Sequence, residues 1–116
     1  MAHRRKLLID FDGTVHDYRG WQGPDVTGPP IENARRALFI LEKDFQLVMF
    51  STRPKDVVER WLKQNGFPDM KVTNIKEAAF LIIDDRALTF QGEWTEEFLA
   101  KIKSFAPHWE APQTNT

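Results

Sequence analysis

The sequence contains no cysteine, so disulfide bonds and thiolate metal sites are excluded from this chain of 116 residues. It also lacks a long apolar run near its start, where the basic residues 3–6 are followed only by Leu7–Ile9. That run is too short for a signal peptide or a membrane span. Neither sign of charge is in excess, because 16 basic and 17 acidic residues leave a net charge of −1. The composition therefore does not favour a lipid surface or a nucleic-acid backbone as the main partner, and we expect a soluble cytoplasmic protein.

Short apolar runs alternate with amphipathic stretches along the rest of the chain. The apolar runs predict strands over 6–10, 45–50, 70–73 and 80–83, with a fifth over 88–90. Amphipathic spacing predicts three helices, which follow Pro29-Pro30, a cap at Ser51 or Thr52, and a cap at Thr95. This alternation is typical of an α/β protein with a single doubly wound, Rossmann-like parallel sheet flanked by helices.

The length suits one domain over residues 1–106, followed by a C-terminal tail over 107–116 in which Trp109 is a candidate anchor. Four of the six glycines and three of the seven prolines fall within residues 13–30. They predict a small flap over about 15–28, after the first strand. The third and fourth strands are separated by only about one helical turn, so we expect one face of the sheet to be thinly covered.

Polar side chains follow three of the predicted strands at the points where they end. Asp10–Thr14 (DFDGT) follows the first strand, Ser51 follows the second, and Asp84-Asp85 follows the fourth. Because ligands bind beyond the carboxyl ends of parallel strands, these three endings are expected to meet in one crevice. Four carboxylates gathered there would repel one another unless a cation lay among them. Oxygen ligands of this kind suit Mg²⁺.

The first of these endings has the chemistry of a nucleophile beside a proton carrier. Asp10 and Asp12 are two residues apart and leave the strand in the same direction, so one carboxylate can attack while the other transfers protons. Gly13 allows a sharp turn and a close approach of the backbone to an anion. The alternative is a simple turn at the end of a strand, since Asp, Gly and Thr are common turn residues.

The order of these endings resembles the order of the sequence motifs in the haloacid dehalogenase superfamily. Asp10–Thr14 is similar to the family's first motif, D-x-D-G-T, in its phosphatase form, and Ser51 is similar to the second. Asp84-Asp85 is similar to the fourth motif. The third motif is a lysine between them, for which Lys76 fits best and Lys71 is the alternative. The resemblance spans residues 6–90, which is most of the chain.

The resemblance implies a phosphatase mechanism in which Asp10 attacks phosphorus and forms an aspartyl-phosphate. Asp12 would protonate the leaving oxygen and then activate water. The implied phosphate-binding residues are Gly13, Thr14, Ser51, Thr52 and Lys76. The implied ligands of Mg²⁺ are Asp10, the backbone carbonyl of Asp12, and Asp85, with Asp84 as a supporting partner or as the alternative ligand.

The chain resembles the capless branch of the family, because none of the segments between the motifs is long enough to hold a large cap. Open sites of that branch often take macromolecular ends or phosphorylated proteins, so a nucleotide, another phosphorylated small molecule, or a nucleic-acid or protein end is the expected substrate. Trp21 and Arg53 are candidate substrate contacts, against the simpler alternatives of loop packing for Trp21 and a surface ion pair or helix start for Arg53. Whether a second subunit covers the crevice, as in a homo-oligomer, stays open.

Two other functions fit parts of the pattern. A phosphoacceptor signalling domain of the response-regulator type has a similar length and sheet, but its acidic pair, acceptor aspartate, hydroxyl and lysine follow a different order. A noncatalytic binding module that keeps the fold is the other alternative. Since residues of every expected catalytic type are present, the phosphatase hypothesis is favoured.

Overall fold

The computed structural model describes residues 4–26 and 28–110, which form one four-stranded parallel sheet and three helices. The strands are β1 (Arg5–Asp10), β2 (Phe45–Phe50), β3 (Lys71–Thr73) and β4 (Leu81–Ile83). The helices are α1 (Ala34–Leu41), α2 (Lys55–Gln64) and α3 (Glu96–Lys103). The strand order is β3-β2-β1-β4, and every neighbouring pair is parallel. The predicted α/β class and parallel sheet are thus confirmed. None of the helices in the described part of the chain is long and apolar enough to cross a membrane.

The main core lies between the sheet and one helical layer. Successive residues of a strand point to opposite faces, so Leu7 and Ile9 share one face of β1 while Leu8 points to the other. The first face packs against α1 and α2, whose connections step in the same direction across the sheet. The principal core side chains are Leu7, Ile9, Phe11, Val15, Leu38, Leu47, Met49, Val58, Trp61, Leu62, Phe67 and Val72.

The opposite face is covered by a connection without a helix. Residues 74–80 join β3 to β4 and carry Glu77 across this face, where it accepts hydrogen bonds from Lys6 (2.8 Å) and Lys71 (2.5 Å). Thin cover of one face is therefore confirmed. The expectation of helices on both faces was wrong, because the β3–β4 connection is too short for one and α3 does not pack on any strand within the described residues.

Two element boundaries differ from the predicted ones for local reasons. Helix α1 begins at Ala34 and not at the prolines, because Pro30 forms a bridge with His16 and the Ile31 amide donates to the carbonyl of Val15. These bonds attach the residues before α1 to the start of the flap, so they are not part of the helix. Helix α2 begins after Pro54 with no side-chain cap, so the predicted capping role of Ser51 or Thr52 was wrong.

The C-terminal third departs most from the prediction. Residues 88–90 form no strand, so the predicted fifth strand was wrong. The Thr95 side chain caps α3 by accepting a bond from the Phe98 amide, as predicted. The helix buries none of its residues, and its aromatic side chain Phe98 packs instead against Phe90 and Trp94. The chain then returns to the sheet, where Pro107 is buried; the remainder of the predicted tail, 111–116, and flap residue 27 lie outside the described residues.

Candidate active site

The ends of β1, β2 and β4 meet at one edge of the sheet, as predicted. In the register of the sheet, Asp10 pairs with Phe50, which precedes Ser51, and Ile9 pairs with Ile83, which precedes Asp84. The chain leaves β1 toward β2 on one side and reaches β4 on the other. The candidate site therefore lies where the strand order reverses, which is the usual ligand position in an open parallel sheet.

Three carboxylates come together at this edge. One oxygen from each of Asp10, Asp84 and Asp85 lies within 4.8 Å of the other two, and all three residues are half-buried. Opposite ligand oxygens around a single Mg²⁺ are about 4 Å apart, so the three oxygens lie at nearly the spacing that one ion would require. Their all-oxygen chemistry also fits Mg²⁺. These residues therefore fit the metal that the sequence resemblance implies.

The electrostatics of the cluster also favour a cation. Burial raises the pKa of Asp10 to about 9, assisted by a hydrogen bond with Asp85 and by the negative charges of Asp84, Asp85 and Asp12. Burial opposes ionisation of Asp85 too, but hydrogen bonds from Asp10 and Trp109 outweigh it and hold the pKa of Asp85 below its usual range. With no cation bound, the Asp10 carboxyl therefore keeps its proton and donates it to Asp85, and a divalent cation would displace that proton.

The carboxylate of Asp12 lies outside this cluster and has different partners. Its Oδ2 accepts a hydrogen bond from Arg53 Nε at 2.8 Å, and its Oδ1 lies 2.8 Å from His16 Nδ1. The metal contact expected of Asp12 was through its backbone carbonyl, and the placement of its side chain is compatible with that expectation. The contacts with Arg53 and His16 hold the Asp12 side chain in one orientation.

Arg53 joins Asp12 to the flap. Its side chain is only 3% exposed, and its Nη1 donates to the carbonyls of Gly23 (2.7 Å) and Pro24 (3.0 Å). The expected alternatives for Arg53 were a substrate contact, a surface ion pair or a helix start, whereas the structure places it in a buried ion pair. Trp21 lies over this guanidinium at 4.8 Å from carbon to ring centroid and is 63% exposed. The Trp21 ring therefore presents an open face beside the crevice.

The expected phosphate-binding residues are divided between the turn after β1 and a cleft beside β2. Gly13 has a positive φ of 82°, and the Thr14 hydroxyl is buried without a hydrogen-bond partner in the described part of the chain. The buried Ser51 accepts a bond from the Arg53 amide at 3.1 Å. Ser51 and Thr52 line a cleft of about 590 Å³. Of the two candidate lysines, Lys71 lines this cleft, although it is paired with Glu77, and Lys76 is exposed outside it.

Sequence reasoning did not place the C-terminal segment in the site. Trp109 Nε1 donates a hydrogen bond to Asp85 Oδ2 at 2.6 Å, and His108 Nε2 lies 2.5 Å from the carbonyl oxygen of Gly13. An isolated tryptophan in a polar tail was the only signal in the sequence. It indicated an anchor but not the surface to which the anchor attaches.

Comparisons of the chain with protein-family models, with curated proteins and with solved structures find no match. A functional assignment therefore depends on the residues of the site themselves.

Proposed function

We propose that this protein is a Mg²⁺-dependent phosphohydrolase of the haloacid dehalogenase type, which cleaves a phosphate monoester through an aspartyl-phosphate on Asp10. The observation that carries this proposal is the meeting of Asp10, Asp84 and Asp85 within 4.8 Å at the carboxyl edge of a parallel sheet. Asp12, two residues after Asp10, adds the proton carrier that phosphate-ester hydrolysis requires.

In the first step, a carboxylate oxygen of Asp10 attacks phosphorus and forms the acyl-phosphate bond. The bond from phosphorus to the ester oxygen breaks, and its electron pair stays on that oxygen, which takes a proton from Asp12. In the second step, Asp12 takes a proton from water as the water attacks phosphorus. The acyl-phosphate bond then breaks, inorganic phosphate leaves, and Asp10 is again a carboxylate.

The other site residues would bind the phosphoryl group and balance charge. Asp10 and Asp85, with Asp84 and the Asp12 carbonyl, would hold Mg²⁺. When bound, this ion neutralises the carboxylates and the developing negative charge on the phosphoryl oxygens. The Ser51 and Thr14 hydroxyls are suited to donate hydrogen bonds to those oxygens. Lys71 lines the Ser51 cleft and Lys76 does not, so Lys71 is our candidate for the positive charge, although it would have to leave its pairing with Glu77.

The substrate class follows from how open the site is. Among residues 4–26 and 28–110, the segment after β1 covers the site with no more than the short flap, and His108 and Trp109 lie at one side of it. We therefore propose a phosphorylated small molecule, or the phosphorylated end of a nucleic acid or protein, as the substrate. The exposed face of Trp21 suits an aromatic or sugar group next to the phosphate.

The test compares Asp10→Asn with the wild type on an aryl phosphate and on a panel of nucleotides, sugar phosphates, oligonucleotide ends and phosphopeptides. We expect Mg²⁺-dependent phosphate release by the wild type, abolished by chelation. Asp10→Asn should lower kcat by at least about a thousandfold, since it removes the nucleophile. Asp44→Asn, an exposed aspartate before β2, is the matched control and should retain activity. Unchanged turnover by Asp10→Asn would refute the mechanism.

A further inference from the structure

We propose that Trp109 is a positioning residue for Asp85, which makes the C-terminal segment 107–110 a functional part of the active site. This inference rests on the Mg²⁺ site of the proposed function. Trp109 donates its indole N–H to Asp85 Oδ2 at 2.6 Å, a short hydrogen bond to a carboxylate of the acidic cluster.

The chemistry of the donor defines the role. An indole N–H can donate but has no lone pair for a metal, so Trp109 cannot itself be a ligand. By bonding to Asp85 Oδ2, it fixes the orientation of the carboxylate. Partners of this kind fix the orientation of metal-binding carboxylates, and their loss typically weakens metal binding about tenfold to a hundredfold.

The indole is itself held on several sides. The Tyr18 ring meets it edge to face with 4.8 Å between the ring centroids, and the Arg86 guanidinium lies 4.9 Å from its centroid. The preceding residue, His108, is bonded to the Gly13 carbonyl, and Pro107 is buried. A donor fixed by the flap, by the loop after β4 and by its own segment can hold Asp85 in one rotamer.

The charge of the partner distinguishes Asp85 from Asp12. Asp12 faces the guanidinium of Arg53, whose positive charge would compete with a metal ion. Asp85 receives a neutral donor, and no ion pair joins it to Arg86 among residues 4–26 and 28–110. Trp109 therefore orients Asp85 without cancelling the negative charge that attracts a cation.

The close approach also depends on the absence of a side chain at Gly13. A Cβ added there would lie 2.2 Å from Asp85 Oδ2 and 2.8 Å from Trp109 Nε1. The turn after β1, the acidic pair after β4 and the C-terminal segment thus meet at one point.

The opposite possibility is that Trp109 covers the site and obstructs it. In that case, removing the indole should strengthen Mg²⁺ binding.

The experiment measures Mg²⁺ binding to the full chain by isothermal titration calorimetry. Trp109→Phe keeps an aromatic ring against Tyr18 and Arg86 but removes the N–H, and we expect the Kd for Mg²⁺ to rise about tenfold to a hundredfold. Trp94→Phe, at an exposed tryptophan that packs against Phe90 and Phe98, is the matched control and should bind as the wild type does. Unchanged or tighter binding by Trp109→Phe would overturn the proposal, and tighter binding would identify an obstructing segment.

A second measurement uses the unmodified protein, so it does not depend on whether the variant folds. The indole N–H signal of Trp109, assigned by NMR through its proximity to the Tyr18 ring, should shift on addition of Mg²⁺ more than the Trp94 signal does. Equal shifts would contradict the proposal. Neither the calorimetry nor the NMR experiment depends on turnover. If both give the expected result but the phosphatase assay fails, the proposed function alone is refuted.

Where activity is present, Trp109→Phe should raise the Mg²⁺ concentration needed for half-maximal rate more than it raises the KM for substrate.

Discussion

Arg53 Nε donates a hydrogen bond to Asp12 Oδ2 at 2.8 Å, from a guanidinium that also donates to two carbonyls of the flap. One buried arginine after β2 therefore fixes both the proposed proton carrier and the loop that borders the crevice. The planar guanidinium makes this possible, because its several N–H groups point in fixed directions to different acceptors. Movement of the flap and reorientation of Asp12 are expected to be coupled through this side chain.

Arg53→Lys should destabilise the protein and loosen the flap. A lysine keeps the positive charge but cannot reach Asp12 and both carbonyls at once, so we expect a loss of about 1–3 kcal/mol in the free energy of unfolding. Urea denaturation measures this loss, and faster hydrogen exchange of flap amides should accompany it. Arg60→Lys is the control, since Arg60 is exposed and only weakly paired with Asp56 at 3.8 Å; it should change stability by less than about 0.5 kcal/mol. Equal effects of the two substitutions would show that the Arg53 contacts do not hold the flap.

Gly13→Ala should destabilise the protein by more than the strain of its positive φ alone explains. A methyl group at Gly13 would overlap Asp85 and the indole of Trp109, in addition to the strain of a positive φ of 82°. Gly92→Ala isolates the strain, because Gly92 has a φ of 100° and no atom near its missing Cβ. We expect about 1–2 kcal/mol of destabilisation from Gly92→Ala and a larger loss from Gly13→Ala. Only the latter should also weaken Mg²⁺ binding; comparable stabilities and unaltered binding would count against the crowded geometry at Gly13.

The endings of β1, β2 and β4 could be predicted because they depend on two strong rules. Short apolar runs in an alternating α/β pattern form parallel strands, and parallel strands bring their carboxyl ends to one edge. Asp10, Ser51 and Asp84-Asp85 needed no further information to be placed together. Phosphatase chemistry at that edge stays a proposal, because the positions of these residues do not by themselves define a reaction.

The contacts between loops could not be predicted, because they have no periodicity. The partnership of Arg53 with Asp12 and the return of Trp109 to Asp85 join residues that are 41 and 24 positions apart. Hydrophobic periodicity likewise predicted that α3 has an apolar face, but not that this face packs with Phe90 and Trp94 and stays partly exposed. Periodicity identifies a face that needs a partner and does not identify the partner.

Without Mg²⁺, the protein should lose stability as the pH rises across the neutral range. The pKa of Asp10 is raised from 3.8 to about 9, so the folded state binds a proton there that the unfolded state releases. The stability due to this proton is fully present below about pH 4 and is lost as the pH rises toward 9, with a slope of at most about 1.4 kcal/mol per pH unit. The lowered pKa of Asp85 acts in the opposite direction but at lower pH, since it removes stability only as the pH falls below the usual value of 3.8. Thermal unfolding of the wild type in a chelator should show this slope. Asp10→Asn in the same chelator, and the wild type with Mg²⁺ and no chelator, should give flatter profiles of Tm against pH. Three superimposable profiles would contradict the raised pKa of Asp10.

Glu77→Gln should test whether the β3–β4 connection depends on its two lysine partners. Hydrogen bonds from Lys6 and Lys71 lower the pKa of Glu77, although some burial opposes them. The stability that this lowered pKa contributes is present above the usual value of 4.5 and is lost as the pH falls through the folded-state pKa. We therefore expect Glu77→Gln to lower the Tm at pH 7, with the difference from wild type narrowing in acid. Glu59→Gln, an exposed glutamate of α2, is the control and should leave the Tm nearly unchanged. A constant difference between Glu77→Gln and wild type at all pH values would show that packing of the side chain, and not its charge, holds the connection on the sheet.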